Sequence, residues 1–165
     1  MNLLENVQVA VGVPPINLAS GAHEGAWVDL SRYRRCVVVF VKGAGAEEED
    51  PTLTLEEATD LAGGGARALA GVRRVHRKEG ETVAAVGGFT VTDQTPAAAF
   101  TVADVAENEA LWCFEVRADQ LDVDAGYRCL RVNVSDVGAG AQLGCLLYLL
   151  VEPRVAEDVL ASAVG

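Results

Sequence analysis

Histidine, aromatic residues, paired cysteines and positive charge are all scarce in this sequence. His23 and His76 are the only histidines, and aromatic side chains make up 5% of the 165 residues. Two histidines far apart, with no G-x-S-x-G elbow, leave no pattern for a Ser/His/Asp or Cys/His nucleophile, so no catalytic residue is assigned and a non-enzymatic role is expected. Cys36, Cys113, Cys129 and Cys145 form no C-x-x-C pair of the kind zinc and redox sites use. Each lies in an apolar run, so they are expected as reduced, buried, small hydrophobes, and no cofactor or metal is expected.

No stretch reaches the 18 or more apolar residues of a membrane-spanning helix; the longest run, Leu143 to Val151, has nine. The first residues, MNLLENVQVAVGVPP, lack the basic start of a secretion signal, so synthesis and residence in the cytoplasm, or in something assembled there, is the expectation. Lys and Arg number 13 against 24 Asp and Glu, a formal net charge of -11. Neutralising phosphates needs clustered cations, so nucleic acid is not expected as the main partner.

What is present is aliphatic and strand-like. Half the residues are hydrophobic, and a chain of this length buries about 68–70% of the surface it exposes when unfolded, enough for one core. CVVVFVK (Cys36 to Lys42) is continuous and β-branched, as in a strand buried on both faces. TLTLEEA from Thr52 alternates, and a further strand is expected over Val72 to Arg77. Two short strands are expected around Gly87, Gly88 and Pro96, followed by Leu111 to Ala118, Tyr127 to Ser135 and Gly144 to Arg154. Strands along the whole length, separated by Asp/Gly/Ala turns, indicate an all-β antiparallel β-sandwich or jelly-roll-like barrel over residues 15–154. Apolar arms are expected at 1–14 and at 155–165, the latter a short helix or arm in which Val155, Val159, Leu160 and Ala163 recur at helical spacing.

Three stretches invite a chemical reading. Gly63 to Gly65 and Ala68 satisfy the relaxed nucleotide pattern G-x-G-x-x-A, but no buried strand leads into them and Gly71 interrupts any following helix. A connection between adjacent strands, with glycines at positive φ, is the simpler account. Asp122, Asp124 and Gly126 open like a calcium loop, yet Asn133 stands where a bidentate Glu is required; Tyr127 is expected to enter a central strand with its hydroxyl tying the corner. His23 is expected in a loop and His76 facing solvent on a strand. The run Arg73, Arg74, His76, Arg77 and Lys78 suggests either a charged sheet edge or a patch for an acidic partner, to which Arg32 to Cys36 (RYRRC) would add.

The order of segments is a signal of another kind. GAHEGAWVDLSRYRRCVVVFVKGAGA, LTLEEATDLAGGGARAL, FEVRADQLDVDAGYRCLRVNVSD and LLYLLVEPR, together covering most of Gly21 to Arg154, resemble a family of small structural proteins, of capsid auxiliary or decoration type, found in tailed bacteriophages and prophages. The matching residues are turn and strand positions, none catalytic. The resemblance implies a minor capsid protein of the virion that binds the outside of the head, stabilises contacts between major capsid protein subunits and forms homotrimers. A tail or connector protein of the same class, and a carbohydrate-binding β-sandwich module, are the alternatives.

Overall fold

The structure, a computed structural model, describes Leu4, residues 6–101 and residues 107–154. Eleven strands are formed among these residues: β1 (Val7–Asn17), β2 (Val28–Asp29), β3 (Tyr33–Lys42), β4 (Thr52–Ala58), β5 (Arg67–Ala68), β6 (Val72–Glu79), β7 (Thr90–Ala97), β8 (Ala99–Thr101), β9 (Ala110–Arg117), β10 (Cys129–Val134) and β11 (Leu143–Pro153). They build two antiparallel sheets, ordered β1-β11-β3-β9-β6-β7 and β2-β10-β4-β5, with β8 added to β4. The chain is thus all-β, and the two sheets form a β-sandwich.

The core between the sheets follows from side-chain alternation. Cys36, Val38 and Phe40 of β3, Trp112, Phe114 and Val116 of β9, and Leu146, Tyr148 and Leu150 of β11 point inward and are almost fully buried. They meet Leu53 and Leu55 of β4 and Leu130, Val132 and Val134 of β10 in one cluster. With so few rings available, three of them meet at the centre of the core: Trp112 packs against Phe40 at 5.4 Å and edge-on against Phe100 at 5.3 Å. Tyr148 spans the sandwich, its hydroxyl accepting the Val132 N–H of the opposite sheet at 2.9 Å. Complete burial pushes that phenol well above its ordinary titration range.

Two expectations are corrected by the topology. Residues 1–14 are not an arm throughout, because from Val7 onward they form β1, paired residue by residue with β11 from Val7 opposite Val151. Ala10 and Val13 sit in the core, since an alternating VQVAV segment buries one side as soon as it joins a sheet. The basic run is not at an edge either, as β6 lies between β9 and β7 and pairs with both. The C-terminal segment 155–165 lies outside the described residues.

Candidate functional site

The two sheets turn very different faces outward. On the five-stranded sheet, Arg131 of β10 is a hub. Its Nε and Nη2 donate to Glu56 Oε2 at 2.9 and 2.6 Å, its Nη1 donates to Glu24 at 2.8 Å, and its guanidinium lies over the Trp27 ring, 4.6 Å from the centroid. Asn133 Nδ2 donates to the same Glu56 oxygen at 2.9 Å. Partial burial raises the Glu56 pKa, but the bonds from Arg131 and Asn133 outweigh it and leave the carboxyl below its usual range.

Beside this hub lies the glycine loop, and it is a hairpin connection between β4 and β5. Gly63 and Gly65 adopt φ of 82° and 62°, the left-handed conformation that glycine accepts without strain. The carboxylate of Asp60 accepts the Ala62 and Gly64 N–H groups at 2.9 and 3.0 Å. The amides that would cradle a phosphate are thus held by an internal anion, which also repels one from outside. Tyr127 ties down the loop, its hydroxyl donating to Gly65 O at 3.0 Å, so the tyrosine anchors the neighbouring hairpin.

The Asp122 segment is likewise used internally. Asp122 accepts from Arg67 Nη2 at 2.7 Å and from the Ala125 N–H, and the Arg67 bond holds its carboxyl below the ordinary range. Arg67 also donates to the buried Glu57 at 2.8 Å and covers the Tyr127 ring at 4.0 Å. Among the described residues no group of three or more His, Cys, Asp or Glu is placed to hold a metal. All four cysteines are free; Cys36 and Cys129 are buried, and Cys113 and Cys145 half-buried. Burial pushes the Cys129 thiol up to about 11, so it is protonated at neutral pH.

His23 sits in a loop bridged to Val134 of β10, while His76 faces outward on β6, edge-on to Phe89 at 6.0 Å. Two charges of the basic run, Arg74 and Arg77, are neutralised from within the chain, and Lys78 is tied to a backbone carbonyl. Arg74 grips Asp93 through two bonds of 2.6 and 3.0 Å, Arg77 donates to Glu79 at 2.8 Å, and Lys78 donates to the Ala85 carbonyl at 2.6 Å. Arg35, from the RYRRC stretch, pairs with Glu115 and Glu152. Arg73, Arg74, His76, Glu115 and Arg117 line an open concavity of about 770 Å³ on this face.

The larger part of the same face is aliphatic. Register places Val9, Leu149 and Val37 in one outward row, Val11, Leu147, Val39 and Cys113 in the next, and Cys145, Val41 and Leu111 in a third. Val9 and Val11 are 45% and 51% exposed and the others half-buried, with no strand layered over them among the described residues. The continuous apolar runs of β3 and β11 therefore mark a strand that is apolar on both faces, but only the inner face is buried by the chain's own strands. Four strands about 4.8 Å apart and some 20 Å long give this patch a footprint of about 400 Å², within the range of the largest apolar patch on an ordinary monomer, a patch that is often functional.

Comparison with protein families, curated proteins and solved structures finds no match. The candidate site is a sheet face that presents an aliphatic surface beside paired charges.

Proposed function

We propose that this chain is a non-enzymatic structural protein of a tailed-phage virion, bound to the outside of the head through the outward aliphatic face of its six-stranded sheet. The observation that carries the reading is that face. A flat surface of Val, Leu and Cys on a rigid sheet has no chemistry to perform, and burying it against another protein releases its hydration water. The resemblance of the segment order to capsid auxiliary proteins supports the major capsid protein as the surface it meets. Many copies on a symmetric shell act together, so each contact can be small.

The internal pairing of the arginines and of the Asp60 carboxylate supports this reading over one in which the polar groups await a ligand. A sugar-binding module is less well supported, because stacking on a sugar needs an open aromatic face. Here Trp112, Tyr33 and Tyr148 are buried, and Trp27 and Tyr127 carry arginines. Co-sedimentation with purified coat-protein shells tests the proposal. The wild-type chain is expected in the pellet, and a Leu147→Lys/Val39→Lys variant that still folds is expected in the supernatant. Wild-type protein that stays in the supernatant with every mature head shell would overturn the head reading in favour of a tail or connector position.

A further inference from the structure

We propose that two copies of this chain pair through β1, edge to edge and antiparallel, about a two-fold axis at Val9. A sheet edge exposes a row of unpaired N–H and C=O groups, which proteins ordinarily guard with charge, proline, bulges or short length. Among the described residues the other edge strands are guarded. β7 carries Asp93 and Pro96 and has a register irregularity against β6, while β2 and β5 are two residues long and β8, beside β5 on β4, is three. β1 is guarded only in its second half, by register shifts after Val11 and by Pro14 and Pro15. From Val7 to Val11 it is regular and uncharged, and among the described residues β11 is its only strand partner.

The direction of its free groups follows from the ladder. Leu18 N–H donates to Gln142 O and Gly43 N–H donates to Leu143 O, which fixes the alternation along β11. Its even-numbered residues bond toward β1 and its odd-numbered ones toward β3. Gln8 and Ala10, opposite Leu150 and Tyr148, therefore bond to β11, and Val7, Val9 and Val11 direct their N–H and C=O to the open edge.

The sequence of that edge is self-complementary. Reading V-Q-V-A-V against itself in the antiparallel sense sets Val9 opposite Val9 of the second copy, and Val7 opposite Val11. Every outward-bonding residue then meets another valine, with about six new backbone hydrogen bonds and contact between β-branched side chains on the outward face. An identical patch on both copies closes as a pair, so a dimer is expected in place of the homotrimer that the family resemblance implies. The pairing fuses two six-stranded sheets and doubles the aliphatic patch to about 800 Å², one partner's share of a standard interface. It does not depend on the shell reading, and its test uses the free chain alone.

Size exclusion with light scattering should give a dimer for the full chain. Val9→Pro removes an N–H that the fold does not use, at an edge position where proline is tolerated, and should raise the dissociation constant about 100-fold. Val9→Lys sets like charges opposite each other and should yield a monomer with unchanged strand content; it decides the matter if the proline variant does not fold. The Val7, Val9 and Val11 amides should exchange slowly in the wild-type protein and fast in the lysine variant. A wild-type monomer at every concentration, a trimer, a dimer that survives both substitutions, or slow exchange of these amides in a monomer would each overturn the pairing.

Discussion

The outward faces of the two sheets are built on opposite principles. The five-stranded sheet covers its face with Arg131, Glu56, Asn133 and Trp27, a network in which Arg131 and Asn133 both donate to Glu56 and the Trp27 ring lies under the guanidinium. The six-stranded sheet leaves Val, Leu and Cys side chains of β1, β11, β3 and β9 facing outward, with no strand layered over them among the described residues. Both faces flank the same core, so stability does not require the difference. A face already satisfied internally gains little from a partner, whereas an aliphatic one gains from each apolar group removed from water, at about 25 cal/mol per Å². The contrast therefore separates a face whose polar groups are satisfied within the chain from a face with apolar surface left to bury.

Neighbouring leucines on β11 give the strongest way to break that contrast. Leu146 is buried, and Leu146→Ala should cost about 2–5 kcal/mol in urea denaturation. Leu147→Ala, one residue along on the outward face, should cost about 1 kcal/mol or less in the monomeric Val9→Lys background. Equal costs would mean that the outward face is covered within one chain. Next in size, Arg131→Leu leaves the partly buried Glu56 without its cation, and a loss of about 2 kcal/mol is expected at neutral pH.

The polar face should also respond to acid. The folded-state pKa of Glu56 is depressed, so its ionised form contributes stability that is fully present at neutral pH and is lost as pH falls below about 4. The stability gap between wild type and Glu56→Gln should accordingly be largest near pH 7 and close on acidification; a gap independent of pH would show that the Arg131 bonds do not depend on the charge. Tyr127→Phe removes the single bond to Gly65 O and should cost about 1 kcal/mol. The smallest effect is expected from Val39→Thr, within about 0.5 kcal/mol in the same monomeric background.

Much of the fold was legible because strand formation leaves a local trace. The alternation in TLTLEEA matches β4 at Thr52–Ala58, and the β-branched run from Cys36 matches β3. The glycine loop was legible as a connection for the same reason: the φ angles it needs belong to its own residues. The Arg131 hub was not, because Glu24, Trp27, Glu56 and Asn133 come from separate parts of the chain and meet only through the pairing of β10 with β4. Nor was the place of the basic run, since charges interleaved with valines read alike on an edge strand and on an interior strand with an outward polar side.

The sequence by itself determined which segments extend, where they turn and that several of them are apolar on both sides, because these depend on side-chain period and backbone preference within a few residues. Tertiary structure alone decided that residues 7–17 close the six-stranded sheet as an edge, that β6 lies inside it and that the aliphatic rows of β1, β11, β3 and β9 align. Strand order and register are set by contacts between residues distant in the chain, and it is this order that gathers scattered valines and leucines into one surface.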